Sequence, residues 1–197
     1  MSQYFDNDKN IKSEKRLIRF NFNAKEFSMY SDNGVFSKDR FDYGTRVFLE
    51  NINIHSLCGK VLDLGCGTGV VGLILGTLNK DISIDMVDIN DRAVELAKEN
   101  VILNKLYNNV FVSDVYSNIN DKYDYIITNP PIRAGKDVIR RFLFGAKEYL
   151  CDDGILFFVM RKDHGVKSMI KELEEIYIVD VLDKNKGFYT VRCKMKE

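Results

Sequence analysis

The chain has 197 residues, of which 45% are hydrophobic and 29% charged, a size and balance expected of one globular domain. Lys plus Arg and Asp plus Glu each total 29, so the net charge is zero and composition alone gives no hint of a polyanionic partner. Four cysteines without a CxxC pair argue against a disulfide framework or a zinc module, and the charged first twenty residues lack the apolar stretch of a signal peptide. We therefore expect a cytoplasmic protein with no membrane span and no bound metal.

Alternating apolar and polar residues near the start of the chain predict a β-hairpin over residues 16–31, with Asn23 and Ala24 at its turn. Helical spacing follows from Thr45 to about Ile54. From Lys60 onward, short apolar runs starting at 61, 82, 110, 123 and 154 alternate with predicted helices over 70–78, 92–104, 136–150 and 164–174.

Strands without strict alternation are buried on both faces, so the pattern predicts an α/β fold with a mostly parallel sheet between helices. Two last strand-like segments, IYIVDVL and GFYTVRCKM, are separated only by residues 183–186. So short a connection permits a hairpin but no crossover helix, and one of these strands must run antiparallel to its neighbour.

The segment VLDLGCGTG places Gly65, Gly67 and Gly69 where the first buried strand passes into a helix. Glycines there allow a sharp turn and a close approach of ligand to backbone, while the helix N-terminus offers unpaired N–H groups. Nicotinamide and flavin enzymes use a similar turn, so the glycines alone do not identify the cofactor.

Acidic residues mark the ends of the predicted strands around this turn. Asp63 precedes the first glycine, where a carboxylate could meet a cationic amine. Asp88, followed by Ile89, ends the next strand and could accept hydrogen bonds from a ribose diol. Ser113 and Asp114 end the third, where a side chain could accept from the exocyclic amine of an adenine. The alternative for each Asp is the capping of a helix or turn.

The segment YDYIITNPPI ends the fourth strand with Asn129, Pro130, Pro131 and Ile132, and it contains the only two prolines of the chain. Proline fixes its own φ and restricts the residue before it, so this turn is stiff. If the Asn129 side-chain oxygen and the Pro130 carbonyl accept the two N–H bonds of an aromatic amine, they draw its nitrogen out of conjugation and aim it. Orientation of this kind can supply roughly 7 to 11 kcal/mol. We interpret these four residues as catalytic.

Together, the glycine and Asn-Pro-Pro motifs resemble those of the class I S-adenosylmethionine-dependent methyltransferases, over residues 34–195. The resemblance implies a Rossmann-like fold with a mostly parallel seven-stranded sheet and an antiparallel terminal strand. It implies one methyltransferase domain over residues 1–197, with a β-hairpin extension at 1–33 packed on it. The implied cofactor is S-adenosylmethionine, and the implied cofactor-binding residues are Asp63, Gly65, Gly67, Gly69, Asp88, Ile89, Ser113, Asp114 and Asn129.

NPPIRAGK, with GVFSKDRFDYGT at 34–45, more narrowly resembles the guanine 2-amino methyltransferases of small-subunit ribosomal RNA. In that family the FS…DxGT segment lies against the cofactor, which adds Phe36, Ser37, Asp42, Gly44 and Thr45 to the implied cofactor site. Many relatives carry a second, degenerate methyltransferase-like half before the catalytic one, whereas only a predicted hairpin precedes it here. Phe36, Phe41 and Tyr43 are candidate walls of the pocket.

Ile132 occupies the position where enzymes that methylate adenine amines or release-factor glutamine carry an aromatic residue, which favours guanine. Arg133, Lys136 and Arg140 follow and are expected to hold phosphates of an RNA substrate. The expected partner is ribosomal RNA or the small ribosomal subunit, and the protein is expected to be a monomer or a homodimer. The alternatives are a glutamine or adenine-N6 methyltransferase, a nicotinamide-dependent oxidoreductase and a non-catalytic RNA-binding protein.

Positive charge is concentrated in three stretches, at 128–145, at 160–171 and after residue 182, each with an excess of three positive residues. If these stretches converge in space, they form an electrostatic footprint for phosphates. The alternative is that they are separate solvated faces.

Overall fold

The computed structural model describes residues 12–35 and 41–196. Its helices and strands, in chain order, are β1 (Arg16–Phe22), β2 (Lys25–Ser31), α1 (Tyr43–Glu50), β3 (Gly59–Leu64), α2 (Val70–Leu78), β4 (Ile82–Asp88), α3 (Asp91–Leu103), β5 (Asn109–Val112), β6 (Tyr123–Thr128), α4 (Lys136–Gly145), β7 (Leu150–Arg161), α5 (Val166–Leu173), β8 (Tyr177–Asn185) and β9 (Phe188–Met195). Short 3-10 turns cover Ile54–Ser56, Ile132–Ala134, Ala146–Glu148 and Lys162–His164.

Strands β3 to β9 form one seven-stranded sheet in the order β5-β4-β3-β6-β7-β9-β8. The pairs β3–β4, β3–β6, β4–β5 and β6–β7 are parallel, and β9 is antiparallel to both β7 and β8. The predicted mostly parallel sheet with an antiparallel terminal strand is confirmed. This antiparallel strand, β9, is the last in the chain, but it lies between β7 and β8 and not at the edge of the sheet.

Successive side chains of the central strands reach two apolar layers, one on each face of the sheet. Val61 and Phe157 lie in the layer formed with the hairpin, α1, α2 and α3. Their neighbours Leu62 and Phe158 lie in the layer formed with α4 and α5. Burial on both faces explains why these strands are continuous apolar runs in the sequence.

The predicted hairpin is confirmed as a separate two-stranded sheet of β1 and β2. Its turn residues Asn23 and Ala24 have φ angles of 47° and 59°, the left-handed conformation that matches the twist of paired strands. The hairpin is bonded to α3, where the buried Asn100 side chain accepts from the backbone N–H of Tyr30 and donates to its carbonyl. Phe41, predicted as a pocket wall, packs on the rings of this hairpin.

Two predicted boundaries in the second half of the chain are wrong. The helix predicted to reach residue 150 ends at Gly145, which packs against the ring of Tyr116, and a 3-10 turn follows. The strand predicted from residue 154 starts at Leu150, and the register between β6 and β7 shifts before Ile155. The sequence CDDG at 151–154 is typical of a turn, and here it forms this irregularity within the strand.

Two further boundaries are corrected near the site. Helix α1 begins before Thr45 because Asp42 caps it, and it ends at Glu50 instead of Ile54. Strand β5 ends at Val112, so Ser113 and Asp114 follow the strand and do not belong to it. Helices α2, α3 and α5 are confirmed to within two residues at each end. No helix in the described part of the chain is long and apolar enough to cross a membrane.

Candidate active site

The carboxyl ends of β3, β4 and β6 bring the two sequence motifs to one edge of the sheet. The Thr128 hydroxyl donates to the Leu64 carbonyl over 2.7 Å and ties the last residue of β6 to the last residue of β3. Asn129 therefore lies beside Gly65, at the start of the glycine turn. Sequence reasoning missed the part played by Thr128, although a hydroxyl directly before an Asn-Pro-Pro turn is a recognisable signal.

The glycine turn is left-handed at each of its three glycines, with φ angles of 72°, 55° and 91° at Gly65, Gly67 and Gly69. Packing beneath the turn also excludes side chains. A Cβ at Gly65 would lie 2.9 Å from the Phe142 ring of α4, and one at Gly69 would lie 2.6 Å from the Met86 methyl group. The turn therefore holds the start of α2 against the sheet and exposes backbone instead of side chains to a ligand.

Asp88 closes this turn from the neighbouring strand. Its Oδ2 accepts from Gly67 N over 2.8 Å and its Oδ1 accepts from Asn90 N over 2.9 Å. Each carboxylate oxygen has further lone pairs, so Asp88 can shape the turn and accept from a ligand hydroxyl as well. The adjacent Ile89 is 39% exposed and offers an apolar surface at the same edge.

Asp63 is a buried carboxyl at the end of β3. Its Oδ2 accepts from Gly72 N over 2.9 Å. Burial raises the pKa of Asp63 to about 7, the Gly72 N–H bond lowers this pKa, and the nearby Asp88 carboxylate raises it. A cationic ligand group beside Asp63 would favour its charged form. This position therefore fits the amino group of the methionine part of S-adenosylmethionine.

Ser113 and Asp114 are adjacent in the chain but have different surroundings. Ser113 is buried, and its backbone N–H donates to the Asp88 carbonyl over 3.0 Å, which places it at the site. Asp114 instead forms an ion pair with Arg141 of α4 over 3.0 Å. An adenine amine would have to share the Asp114 carboxylate with that guanidinium.

A hydrogen-bond relay runs from the start of α1 to the Asn-Pro-Pro turn. Asp42 Oδ2 accepts from Thr45 N over 2.8 Å and from Thr45 Oγ1 over 3.1 Å. Asn129 Nδ2 in turn donates to Thr45 Oγ1 over 3.0 Å. A carboxylate only accepts, so the Thr45 proton points to Asp42 and the Thr45 lone pair faces Asn129. This logic fixes the amide orientation of Asn129 independently of how its nitrogen and oxygen are assigned.

The relay leaves the Asn129 oxygen as an available acceptor. Within residues 12–35 and 41–196, no donor is bonded to Asn129 Oδ1 or to the Pro130 carbonyl. The Pro131 carbonyl, by contrast, accepts from Ala134 N over 3.0 Å inside the 3-10 turn. The half-buried Ile132 packs on the apolar layer of α4 and α5.

Gly44 lies where α1 packs against the start of β9. A Cβ at Gly44 would lie 2.4 Å from Cε1 of Phe188, so its missing side chain lets α1 approach β9. Phe36 and Ser37, also predicted for the cofactor site, lie outside the described residues.

The predicted RNA-binding residues differ in their surroundings. Arg133 is exposed in the 3-10 turn after the prolines. Lys136 bonds Glu172 of α5 over 3.1 Å, and Arg140 forms an ion pair with the same carboxylate. The Lys136 hydrogen bond is the largest cause of a lowered Glu172 pKa. An RNA phosphate would therefore compete with Glu172 for these two cations.

Residues 26–192 match the family model described as the methyltransferase small domain. The sheet, with its acidic, glycine-rich site at the carboxyl edge, is Rossmann-like, and together with this family match it defines a class I S-adenosylmethionine-dependent methyltransferase. This match covers most of the chain, and the chain belongs to the methyltransferase small domain family.

Two curated relatives differ in how much of their own length this chain covers. Uncharacterized protein YbxB of Bacillus subtilis (strain 168) is 39% identical over 199 residues, which cover 98% of this chain and 99% of that protein. Ribosomal RNA small subunit methyltransferase C of Vibrio vulnificus (strain CMCP6) is 38% identical over 148 residues, covering 73% of this chain but only 43% of its own length. The chain thus spans less than half of that relative.

A solved structure has the same fold. The T. thermophilus 16S rRNA N2 G1207 methyltransferase (RsmC), in complex with AdoMet and guanosine, superimposes with a TM-score of 0.84 at 23% sequence identity. The match covers 94% of this chain and 52% of that protein. The remaining part of the T. thermophilus enzyme has no counterpart in this chain.

Proposed function

We propose that this protein methylates the 2-amino group of a guanine in small-subunit ribosomal RNA, with S-adenosylmethionine as the methyl donor. Residues 1–197 would act as one methyltransferase domain, and an rRNA substrate would place the reaction in the cytoplasm. The similarity to ribosomal RNA small subunit methyltransferase C and to the guanosine-bound T. thermophilus enzyme supports this substrate class.

The cofactor would lie along the carboxyl ends of β3, β4 and β5. Asp63 would hold its amino group, the glycine turn its methionine part and Asp88 its ribose, with Ile89 and Ser113 beside the adenine. When bound, S-adenosylmethionine supplies a methyl group activated by a positively charged sulfur.

The chain's own contribution is alignment. Asn129 Oδ1 and the Pro130 carbonyl would accept the two N–H bonds of the guanine amine, which turns its lone pair out of the ring system. The nitrogen becomes acidic only after it has been methylated, so no base of perturbed pKa is needed before transfer. Fixed dipoles that need no reorganisation favour such a reaction.

The orientation of Asn129 carries this proposal. Because Thr45 must donate to Asp42, it accepts from the Asn129 nitrogen, and the Asn129 oxygen remains for an amine donor. Ile132 supports guanine over adenine or glutamine, because it is packed on the core and presents no aromatic face for stacking.

Ribosomal RNA from a strain lacking the gene, compared with its parent by mass spectrometry, provides the test. We expect one N2-methylguanosine to be absent, and the purified protein to restore it with radiolabelled S-adenosylmethionine. Asn129→Ala should abolish this turnover and leave the affinity for S-adenosylhomocysteine within about threefold, because Asn129 acts on the substrate amine. Labelling of a purified release factor in place of RNA would show that the substrate is a glutamine.

A further inference from the structure

Five residues form an aromatic–basic cluster next to the Asn-Pro-Pro turn: Tyr43, Arg161, Lys162, Lys186 and Phe188. The Tyr43 and Phe188 rings lie 5.9 Å apart between centroids. Lys186 Nζ lies 5.0 Å from the centroid of Tyr43, and the Arg161 guanidinium carbon lies 5.3 Å from that of Phe188. Cations over aromatic faces at such distances are attracted to the rings.

The aromatic–basic cluster is held rigidly by three different parts of the chain. Tyr43 Oη donates to Asn185 Oδ1 over 3.0 Å, which joins α1 to the end of β8. Lys162 N donates to the Gly187 carbonyl over 2.8 Å, which joins the end of β7 to the turn between β8 and β9. The cluster is therefore a preformed surface, with Tyr43 still 39% exposed.

Its position relative to the candidate active site follows from the sheet order. The proposed cofactor residues lie at the ends of β3, β4 and β5, and Asn129 lies at the end of β6. The cluster lies at the end of β7 and the start of β9, where Arg161 is the register partner of Phe188. Tyr43 is two residues before Thr45, which contacts Asn129. The aromatic–basic cluster therefore flanks the catalytic turn on the side opposite the cofactor.

The first residues of two of the three basic stretches converge here, because Arg161 of β7 is the register partner of Phe188 of β9. The exposed cations at the end of β7 and around the turn between β8 and β9 are Arg161, Lys162, Lys184 and Lys186. Asp163 opposes them and pairs with Arg161 over 3.0 Å. The third stretch lies on α4, where Lys136 and Arg140 share Glu172. Among the described residues, Lys162, Lys184 and Lys186 beside Tyr43 have no acidic partner, whereas only Arg133 of the stretch at 128–145 lacks one.

We propose that the aromatic–basic cluster binds the single-stranded nucleotides that flank the target guanine. Tyr43 would stack on a neighbouring base, and Lys162 and Lys186 would hold phosphates on either side. Single-stranded RNA is recognised by this combination of aromatic faces and cations. The inference rests on the proposed function, because it assumes that the amine held at Asn129 belongs to RNA.

The test measures binding of a fluorescein-labelled single-stranded RNA oligonucleotide and the KM for unmethylated small-subunit rRNA. Tyr43→Ala should raise the oligonucleotide Kd at least fivefold, since one base stack is worth roughly 1–3 kcal/mol. Tyr43→Phe keeps the ring and should stay within about twofold. In the double variant Lys162→Ala/Lys186→Asn, the slope of log Kd against log salt should fall by about 1.4, because each single-strand phosphate contact contributes about 0.7. Asn suits the left-handed φ of 44° at residue 186.

The matched control is Lys25→Ala/Lys98→Ala, which removes the same charge from exposed residues of β2 and α3. It should leave KM unchanged, and all variants should bind S-adenosylhomocysteine as the parent does. If the parent methylates rRNA but the cluster variants match it in Kd and KM, the cluster proposal is wrong and the proposed function stands. If the parent methylates no RNA, the proposed function is wrong. If the variants then also bind the oligonucleotide with the same Kd as the parent, the proposal that the cluster binds RNA is wrong as well.

Discussion

Asn129 depends for its orientation on Thr45, which bonds it directly, and on Asp42, which fixes the direction of the Thr45 hydroxyl. We predict that Thr45→Val lowers kcat about tenfold to hundredfold, because the Asn129 amide loses the hydroxyl that accepts from its nitrogen and can rotate. The affinity for S-adenosylhomocysteine, measured by calorimetry, should change little. The loss should appear in kcat, because the alignment of the amine is what the relay provides.

The control for this relay is Thr45→Ser, which keeps the hydroxyl and should retain most of kcat. A Thr45→Val enzyme that turns over like the parent would show that Asn129 is held by other contacts. If the cofactor affinity of Thr45→Val falls in parallel with kcat, Thr45 instead contacts the cofactor, as the sequence resemblance implies.

Asp63 links pH, stability and cofactor affinity at a single side chain. Its pKa is about 7 in the fold and 3.8 as the ordinary value, so the folded state holds the proton more tightly than the unfolded chain. The contribution of Asp63 to stability is therefore greatest below about pH 4 and is lost as the pH rises through 7. Above pH 7, the ionised Asp63 carboxylate lowers the free energy of unfolding of the apoprotein by up to about 4 kcal/mol.

We predict that Asp63→Asn stabilises the apoprotein at pH 8.5 but barely at pH 4, as measured by urea unfolding at both values. The amide oxygen can still accept from Gly72 N, so the fold keeps this bond. The same variant should bind S-adenosylhomocysteine at least tenfold more weakly at pH 8, since it removes the charge opposite the ligand amine. Equal pH dependence in both proteins would contradict the raised pKa.

At the scale of secondary-structure elements, Asn100 of α3 connects the N-terminal hairpin to the glycine turn. Its side chain donates to the Tyr30 carbonyl over 2.9 Å and to the Thr68 carbonyl over 3.0 Å, and it is fully buried. Asn104, one turn later, donates to the Ser28 carbonyl of the same hairpin but not to the glycine turn. Both residues therefore hold the hairpin, but only Asn100 also supports the glycine turn. Comparing variants at the two positions distinguishes these two effects.

We predict that Asn100→Ala lowers the free energy of unfolding by roughly 2–3 kcal/mol, because it leaves buried backbone groups unpaired. It should also weaken S-adenosylhomocysteine binding, since Thr68 belongs to the glycine turn. Asn104→Ala should cost about 1 kcal/mol and leave the affinity unchanged. Urea unfolding and calorimetry on both variants provide the comparison, and equal effects on affinity would contradict a specific link through Thr68.

Motifs local in sequence were predictable, and contacts between distant elements were not. The order of strands and helices followed from apolar runs and periodicity, because burial on both sheet faces leaves that pattern in the sequence. The relay joins Thr45 to Asn129 across 84 positions, and no spacing rule connects them. For the same reason the packing of Gly44 on Phe188 was not predicted.

At the scale of the whole molecule, the zero net charge conceals an uneven distribution of paired and unmatched cations. The sequence predicted three basic stretches but could not show which of them meet carboxylates. Arg141 pairs with Asp114, Arg192 with Asp180, and Lys194 with Asp153 over 3.4 Å. Exposed pairs of this kind add little stability, so their main effect is on the electrostatic field that an RNA meets.

Glu172 is the carboxylate that most directly opposes the predicted RNA-binding residues, because Lys136 and Arg140 both contact it. We predict that Glu172→Gln tightens binding of unmethylated small-subunit rRNA severalfold at low salt and steepens its salt dependence, since two released cations can reach phosphates. Glu175→Gln removes the same charge from an exposed carboxylate three residues further on and serves as the matched control. A larger effect of Glu172→Gln in filter-binding titrations over a range of salt would place α4 against the RNA. Identical effects of the two variants would mean that only the net charge has changed, and that Lys136 and Arg140 face away from the substrate.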